Sequence, residues 1–179
     1  MRTVWIIDGA YVFSHNKTLI GDIDYLKLKT ELESINQNSI NDSYYLNSSQ
    51  NPSADSQDKF HTWLKSAPPK GPKLRVKLYS LKNMRVKCQS CACEFEKQVQ
   101  KGVDVGIATL IVKLAAQNRY DRLILTAGDG DFEDAISYIK EELHKEFWLN
   151  GAKGCLSSDL QSYADNVIWF DDIESKIIR

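Results

Sequence analysis

The sequence lacks any apolar run near the roughly 20 residues that a bilayer-spanning helix needs, so it predicts no contact with a membrane. It also lacks a strong charge imbalance, because the formal net charge of its 179 residues is −1. Any argument for nucleic acid must therefore be local. The first residues lead directly into a strand pattern rather than into the apolar core of a signal peptide. We expect one cytoplasmic domain over residues 1–179.

Histidine and cysteine are also scarce, with three and four copies, and the histidines have no catalytic spacing. Three of the cysteines, Cys88, Cys91 and Cys93, lie close together in an irregular, charged segment. Structural zinc usually takes four thiolate or imidazole ligands, so His61 or Cys155 would have to supply the fourth. A cytosolic setting disfavours a structural disulfide. Structural zinc and free or redox-active thiols are both open interpretations of this segment.

Patterns typical of strands and helices alternate along the chain. Apolar or alternating runs predict strands at 3–9, 43–47, 74–79, 123–125, 146–150 and 167–170. Helical spacing predicts helices that begin at Asp22, Ser56, Val103, Phe132 and Ser157, and Asp22 is the predicted N-cap of the first. This alternation predicts an α/β fold, a three-layer α/β/α sandwich with a mostly parallel central sheet.

Carboxylates follow several of these elements. Asp8 ends the first strand, Asp129 and Asp131 follow the buried strand that stops at Thr126, and Asp104 lies at the start of a helix. Parallel strands bring their carboxyl ends to one edge of the sheet, where ligands bind in such folds. Each Asp alone could be a turn former or a helix cap. Three separate segments that carry acids to one edge favour a common site.

A site of several carboxylates needs a compensating cation or a raised pKa. Hard oxygen ligands without His or Cys favour Mg²⁺ or Mn²⁺, and the matching chemistry is metal-assisted phosphodiester hydrolysis. We therefore predict Asp8, Asp104, Asp129 and Asp131 as metal ligands and catalytic residues. Thr126 could help to hold an attacking water.

Four segments resemble the NYN domain, in its LabA-like branch within the PIN-like nuclease superfamily. They are residues 5–13 (WIIDGAYVF), 101–105 (KGVDV), 125–132 (LTAGDGDF) and 158–165 (SDLQSYAD). The resemblance implies a PIN-like fold and metal-dependent ribonuclease activity, with the four aspartates as the acidic cluster. It also implies a cysteine-bearing insertion, here around 83–100. The chain departs from the pattern at Tyr11, where many NYN domains have Asn.

One long segment has no acidic residue, from Lys59 to Cys93. It leads into the helix that carries Asp104, which suits a polyanion guided toward the carboxylates. Tyr79 and Trp63 could stack on bases, although Trp63 could equally belong to the core. The predicted nucleic-acid contacts are Arg75, Lys77, Lys82, Arg85 and Lys87, with RNA, or else DNA, as the partner. A purely solvated basic face is the alternative.

Two other functions compete with the nuclease. A haloacid-dehalogenase-like phosphatase needs a second Asp two residues after its nucleophile, and Ala10 occupies that position. A non-catalytic RNA-binding or regulatory module could use the same fold. Such a module gains nothing from four acids that face phosphate, so the sequence favours the nuclease.

Overall fold

The structure, a computed structural model, describes residues 1–15, 21–49, 55–87, 91, 93–99 and 102–179. Its strands are β1 Thr3–Asp8, β2 Asp42–Ser49, β3 Arg75–Ser80, β4 Lys82–Lys87, β5 Glu94–Val99, β6 Arg122–Thr126, β7 Glu146–Gly151 and β8 Asn166–Trp169. Its α-helices are α1 Gly9–His15, α2 Tyr25–Asn36, α3 Asp55–Lys65, α4 Val103–Ala116, α5 Glu133–Glu141, α6 Ser158–Tyr163 and α7 Phe170–Ile177, and a 3₁₀ turn spans Gly130–Phe132.

Six strands form one sheet in the order β3-β2-β1-β6-β7-β8, and every neighbouring pair is parallel. Right-handed crossovers put α2 and α3 on one face and α4, α5 and α6 on the other, because the strand order reverses direction after β3. The helix contacts agree, since α4 contacts α5, α5 contacts α6, and α2 contacts α7. The predicted three-layer α/β/α sandwich is confirmed.

The core lies on both faces of the central strands. Every residue of β1 and of β6 is buried, which is why both segments appear as unbroken apolar runs rather than as alternating ones. Among the described helices, none is both long and apolar enough to cross a membrane.

Three local features differ from the sequence prediction. The prediction of Asp22 as the N-cap is wrong, because α2 begins at Tyr25 and its N-cap is Asp24. The Asp24 carboxylate accepts hydrogen bonds from the backbone N–H groups of Leu26 and Lys27. The irregular cysteine segment contains an antiparallel hairpin of β4 and β5, separate from the main sheet. Helices α1 and α7 were also missed: α1 has only seven residues, and α7 was assigned to no element although its buried Phe170, Ile173 and Ile177 follow a helical spacing.

Candidate active site

The predicted acidic residues lie at the carboxyl edge of the sheet. Strands β1 and β6 are neighbours, with Ile7 paired to Thr126. The two strands therefore end at the same height in the sheet. Asp8 is at the end of β1, and the Gly128–Asp131 turn follows β6 next to it. Helix α4 contacts β1 and the 3₁₀ turn, which brings Asp104 in its first turn to this edge.

Asp8 is the most buried of the four carboxylates, with 7% of its surface exposed. One oxygen, Oδ1, accepts hydrogen bonds from the backbone N–H groups of Ala10 (2.9 Å) and Tyr11 (3.2 Å) and so caps α1. Burial raises the pKa of Asp8, and the charges of Asp104 and Asp129 raise it further, against the effect of the two hydrogen bonds. The second oxygen, Oδ2, accepts no hydrogen bond from the described residues.

Asp104 is exposed at the start of α4, which begins after Gly102 in a left-handed conformation (φ 89°). Tyr79 fixes this end of the helix, because a Cβ atom at Gly106 would collide with its hydroxyl group. Burial raises the pKa of Asp104, and the charges of Asp129 and Asp131 add to the shift. Asp104 is therefore electrostatically linked to both carboxylates of the turn after β6.

The turn after β6 holds Asp129 and Asp131 at the surface. Asp129 Oδ1 accepts the N–H of Asp131 (3.1 Å) and caps the 3₁₀ turn. Gly128 has no room for a side chain, because a Cβ atom there would collide with the Tyr11 ring and the Cys155 carbonyl. The small residues of this motif thus let the turn pack closely against α1 while both carboxylates stay accessible to solvent.

A cavity of about 480 Å³ opens between α4 and α5 beside these residues. Asp104 and Asp131 line it together with Glu133 and Asp134 of the first turn of α5. Sequence reasoning did not select Glu133 and Asp134, although their position directly after the Gly-Asp-Gly-Asp turn was a usable signal. The acidic surface therefore includes more residues than the four predicted aspartates.

Thr126 lies under this edge rather than on it, with no exposed surface. Its hydroxyl accepts a hydrogen bond from Trp5 Nε1 and donates one to Asn150 Oδ1, both at 2.8 Å. Asn150 in turn donates to the Ile168 carbonyl at 2.9 Å. The hydroxyl hydrogen of Thr126 is bound within the core. These hydrogen bonds link the four strands β1, β6, β7 and β8, and the geometry assigns no water to Thr126.

Tyr11 occupies the position at which the sequence departs from the NYN pattern that it resembles, where many NYN domains have Asn. Its ring is buried against Gly128, and its hydroxyl accepts the Ala152 N–H (3.0 Å) in the loop after β7. This side chain ties α1 to the loops that follow β6 and β7. At this position the chain has a packing contact that holds the carboxyl edge together.

The predicted basic contacts fall into separate environments. Arg75 lies at the amino end of β3, held by Asp42 (2.7 Å) and Tyr44 (2.9 Å). In the strand register it lies two residues below the level of Asp8, which is about 7 Å along the strand. Lys77 is exposed nearer the carboxyl edge, over the Tyr79 ring at 4.9 Å.

Two of the three hairpin residues of this set lie opposite acids. Arg85 pairs in register with Glu96, and Lys87 with Glu94, while Lys82 lies opposite Val99. Cross-strand pairs of opposite charge offset the basic character of a hairpin. Of the five predicted contacts, the described geometry favours Lys77.

No three His, Cys, Asp or Glu side chains within the described ranges lie close enough together to hold a metal ion as they stand. Cys91 and Cys93 are exposed and free, and Cys88 lies outside the described residues, so zinc binding stays a prediction. The four aspartates fit Mg²⁺ or Mn²⁺ in donor chemistry and in their mutual repulsion. They do not form a ready-made coordination shell.

Comparison with known proteins agrees with the fold and the motifs. The model of the NYN domain family matches residues 2–173. A crystal structure of a protein of unknown function from Vibrio parahaemolyticus is similar, with a TM-score of 0.72 and 20% sequence identity. The similarity covers 99% of this chain and 96% of that one, and at this identity it shows the fold. No curated protein matches the chain significantly.

Proposed function

This chain belongs to the NYN domain family, and we propose that it is a metal-dependent ribonuclease of the LabA-like branch that hydrolyses phosphodiester bonds. The family lies within the PIN-like nuclease superfamily, which suggests a nuclease or RNA-related function. The proposal treats residues 1–179 as one cytoplasmic NYN domain, with the hairpin of β4 and β5 within the cysteine-bearing insertion.

The observation that carries the proposal is the electrostatic linkage of carboxylates from three segments. Asp8 responds to Asp104 and Asp129, and Asp104 responds to Asp129 and Asp131. Such repulsion destabilises the metal-free protein, and a cation relieves it. Perturbed carboxylates grouped at the carboxyl edge of a parallel sheet are typical of an active site rather than of a structural surface.

Asp8, Asp104, Asp129 and Asp131 would hold Mg²⁺ or Mn²⁺ through their oxygens. Bound there, the ion would lower the pKa of a water molecule and neutralise charge on the phosphate in the transition state. The chain itself orients the ligands: the N–H groups at the start of α1 fix Asp8, and the 3₁₀ turn fixes Asp129. Lys77 would attract the phosphate backbone toward this edge.

The test is cleavage of single-stranded and structured RNA and DNA by purified protein with Mn²⁺. Asp8→Asn and Asp129→Asn should each lower kcat at least about 100-fold, since the ion supplies several kcal/mol of charge stabilisation. Both variants keep an oxygen that can accept the capping hydrogen bonds. Glu142→Gln, an exposed change at the end of α5, is the control and should cleave like the wild type.

Two results would contradict the proposal. Equal turnover in the wild type and both Asp variants would assign the cleavage to a contaminant. RNA binding without any cleavage, under all metals tried, would instead favour a non-catalytic RNA-binding module.

A further inference from the structure

Tyr79 lies near the carboxyl end of β3 and contacts the first turn of α4. In the strand register Lys77 is at the level of Asp8, and Tyr79 lies two residues beyond it, about 7 Å further toward the carboxyl edge. Its side chain packs against the core, and its hydroxyl oxygen is buried without a hydrogen-bond partner among the described residues. A buried hydroxyl without a partner costs free energy, so the packing of the ring holds this side chain in place.

The Tyr79 ring occupies space that two glycines of α4 leave open. A Cβ atom at Gly102 would lie 3.5 Å from the ring, and one at Gly106 would collide with the hydroxyl group. Residues four apart share one face of a helix, and the Gly106 N–H donates to the Gly102 carbonyl at 2.9 Å. The ring therefore lies against the backbone of the turn that carries Asp104.

Asp104 depends on this turn more than the other ligands depend on theirs. Asp8 and Asp129 are oriented by the N–H groups of residues that follow them. Helix α4 has no side-chain cap, since its N-cap is Gly102, and the backbone group that hydrogen-bonds the Asp104 carboxylate and lowers its pKa belongs to Asp104 itself. The place of Asp104 therefore follows the place of the first turn of α4.

We propose that Tyr79 is a positioning residue of the carboxylate site: its ring sets the first turn of α4 against the sheet and so holds Asp104 where it can share a cation with the turn after β6. The inference rests on the proposed function and adds a residue that acts through Asp104. The contacts of Tyr79 favour this role over base stacking, because the Lys77 ammonium already lies over the ring at 4.9 Å.

The experiment measures the Kd of the full chain for Mn²⁺ by isothermal titration calorimetry, without nucleic acid. Tyr79→Leu removes the ring and should weaken Mn²⁺ binding about 10- to 100-fold, the usual effect of removing a residue that orients a metal ligand. Tyr79→Phe keeps the ring and removes only the hydroxyl, so it should bind Mn²⁺ as the wild type does. An equal loss in Tyr79→Phe and Tyr79→Leu would overturn the proposal, because the hydroxyl and not the ring would then be responsible.

Gly106→Ala tests the same contact from the helix side. Its methyl group would displace either the Tyr79 ring or the turn, so Mn²⁺ binding should weaken by a similar factor. Alanine favours a helix more than glycine does, so this loss cannot come from a weaker α4. Gly106→Ala also keeps the test decisive if Tyr79→Leu does not fold.

Tyr44→Leu is the matched control. Tyr44 is also a partly buried ring on the sheet with a cation over it, the guanidinium of Arg75 at 5.3 Å. It lies two residues below the level of Asp8 and so away from the carboxyl edge. Tyr44→Leu and Tyr79→Leu should both lower Tm in EDTA, whereas only Tyr79→Leu should change the Kd for Mn²⁺. Equal Mn²⁺ loss in both variants would assign the effect of Tyr79 to general loss of stability and overturn the proposal.

Asp104→Asn decides whether Tyr79 acts through Asp104. It should itself weaken Mn²⁺ binding, and adding Tyr79→Leu should weaken binding no further, because effects that pass through one residue are not additive. Full additivity, or wild-type affinity in both Tyr79→Leu and Gly106→Ala, would overturn the positioning role alone. Mn²⁺ binding that Asp104→Asn leaves unchanged would instead contradict the metal site of the proposed function.

Discussion

Replacing Thr126 by Val separates a structural role from a catalytic one at the carboxyl edge. Valine has nearly the shape of threonine but lacks the hydroxyl, which joins Trp5 Nε1 to Asn150 Oδ1 in a fully buried position. Thr126→Val leaves one buried donor and one buried acceptor without a partner. The substitution therefore acts on the core beneath the site and adds no cavity.

The expected cost follows from those two orphaned groups. Each unsatisfied buried polar atom costs about 1–3 kcal/mol, so the free energy of unfolding should fall by roughly 2–4 kcal/mol after partial relaxation. For a chain of this size, about 2–4 °C of Tm is lost per kcal/mol, which gives a decrease of roughly 5–15 °C. Differential scanning calorimetry of metal-free protein measures it directly.

Thr126→Ser is the control, because serine keeps the hydroxyl and loses one methyl group. It should recover most of the stability, short of about 1 kcal/mol for the buried methyl. Turnover of Thr126→Val, measured well below its Tm, should stay within a few-fold of the wild type. An unchanged Tm in Thr126→Val would refute the hydrogen-bond argument. A Thr126→Val variant that is stable but has lost its turnover would instead show that Thr126 takes part in catalysis.

Two further predictions follow from the charges. Burial and neighbouring carboxylates raise the folded-state pKa of Asp8 above its unfolded value, so its ionisation destabilises the metal-free fold at neutral pH. Asp8→Asn should therefore raise Tm at pH 7, and the gain should vanish below about pH 4, where both states are protonated; thermal melts across this range test it. Lys77→Gln should raise KM with little change in kcat and flatten the salt dependence by about 0.7 in log–log slope, whereas Arg75→Gln should leave that slope unchanged.

The sequence predicted the sheet well because its strands are buried on both faces. Such strands appear as unbroken apolar runs, and β1 and β6 were placed to within one or two residues. The parallel order then followed from the helices between them. The wrong predictions concern short local features, such as the helix cap. Asp22 and Asp24 are the same residue type, so the sequence does not distinguish them as N-caps. Only the structure shows that the Asp24 N–H bonds the Ile177 carbonyl and that α2 begins directly after it.

In the candidate site too, the features set by topology were predictable from the sequence and those set by side-chain packing were not. The positions of Asp8, Asp104 and Asp129 follow from topology, which a sequence can supply. The commitment of Thr126 to Trp5 and Asn150 depends on side chains from strands more than 100 and about 24 residues away along the chain. A hydroxyl next to a predicted active site has the same sequence signature whether it points into the core or into solvent. Its partners decide its role, and those depend on the packing of the finished sheet.

The choice between helix cap and metal ligand, which the sequence left open for each Asp, is not exclusive in the structure. A carboxylate has two oxygens, and in Asp8 and Asp129 the backbone N–H groups take only Oδ1. Within the described part of the chain, Oδ2 of each accepts no hydrogen bond. Capping therefore fixes the orientation of the side chain and leaves its second oxygen without a hydrogen bond from the described residues. The hydrogen bonds that explain these aspartates as turn formers therefore leave the Oδ2 atoms of Asp8 and Asp129 available to a cation.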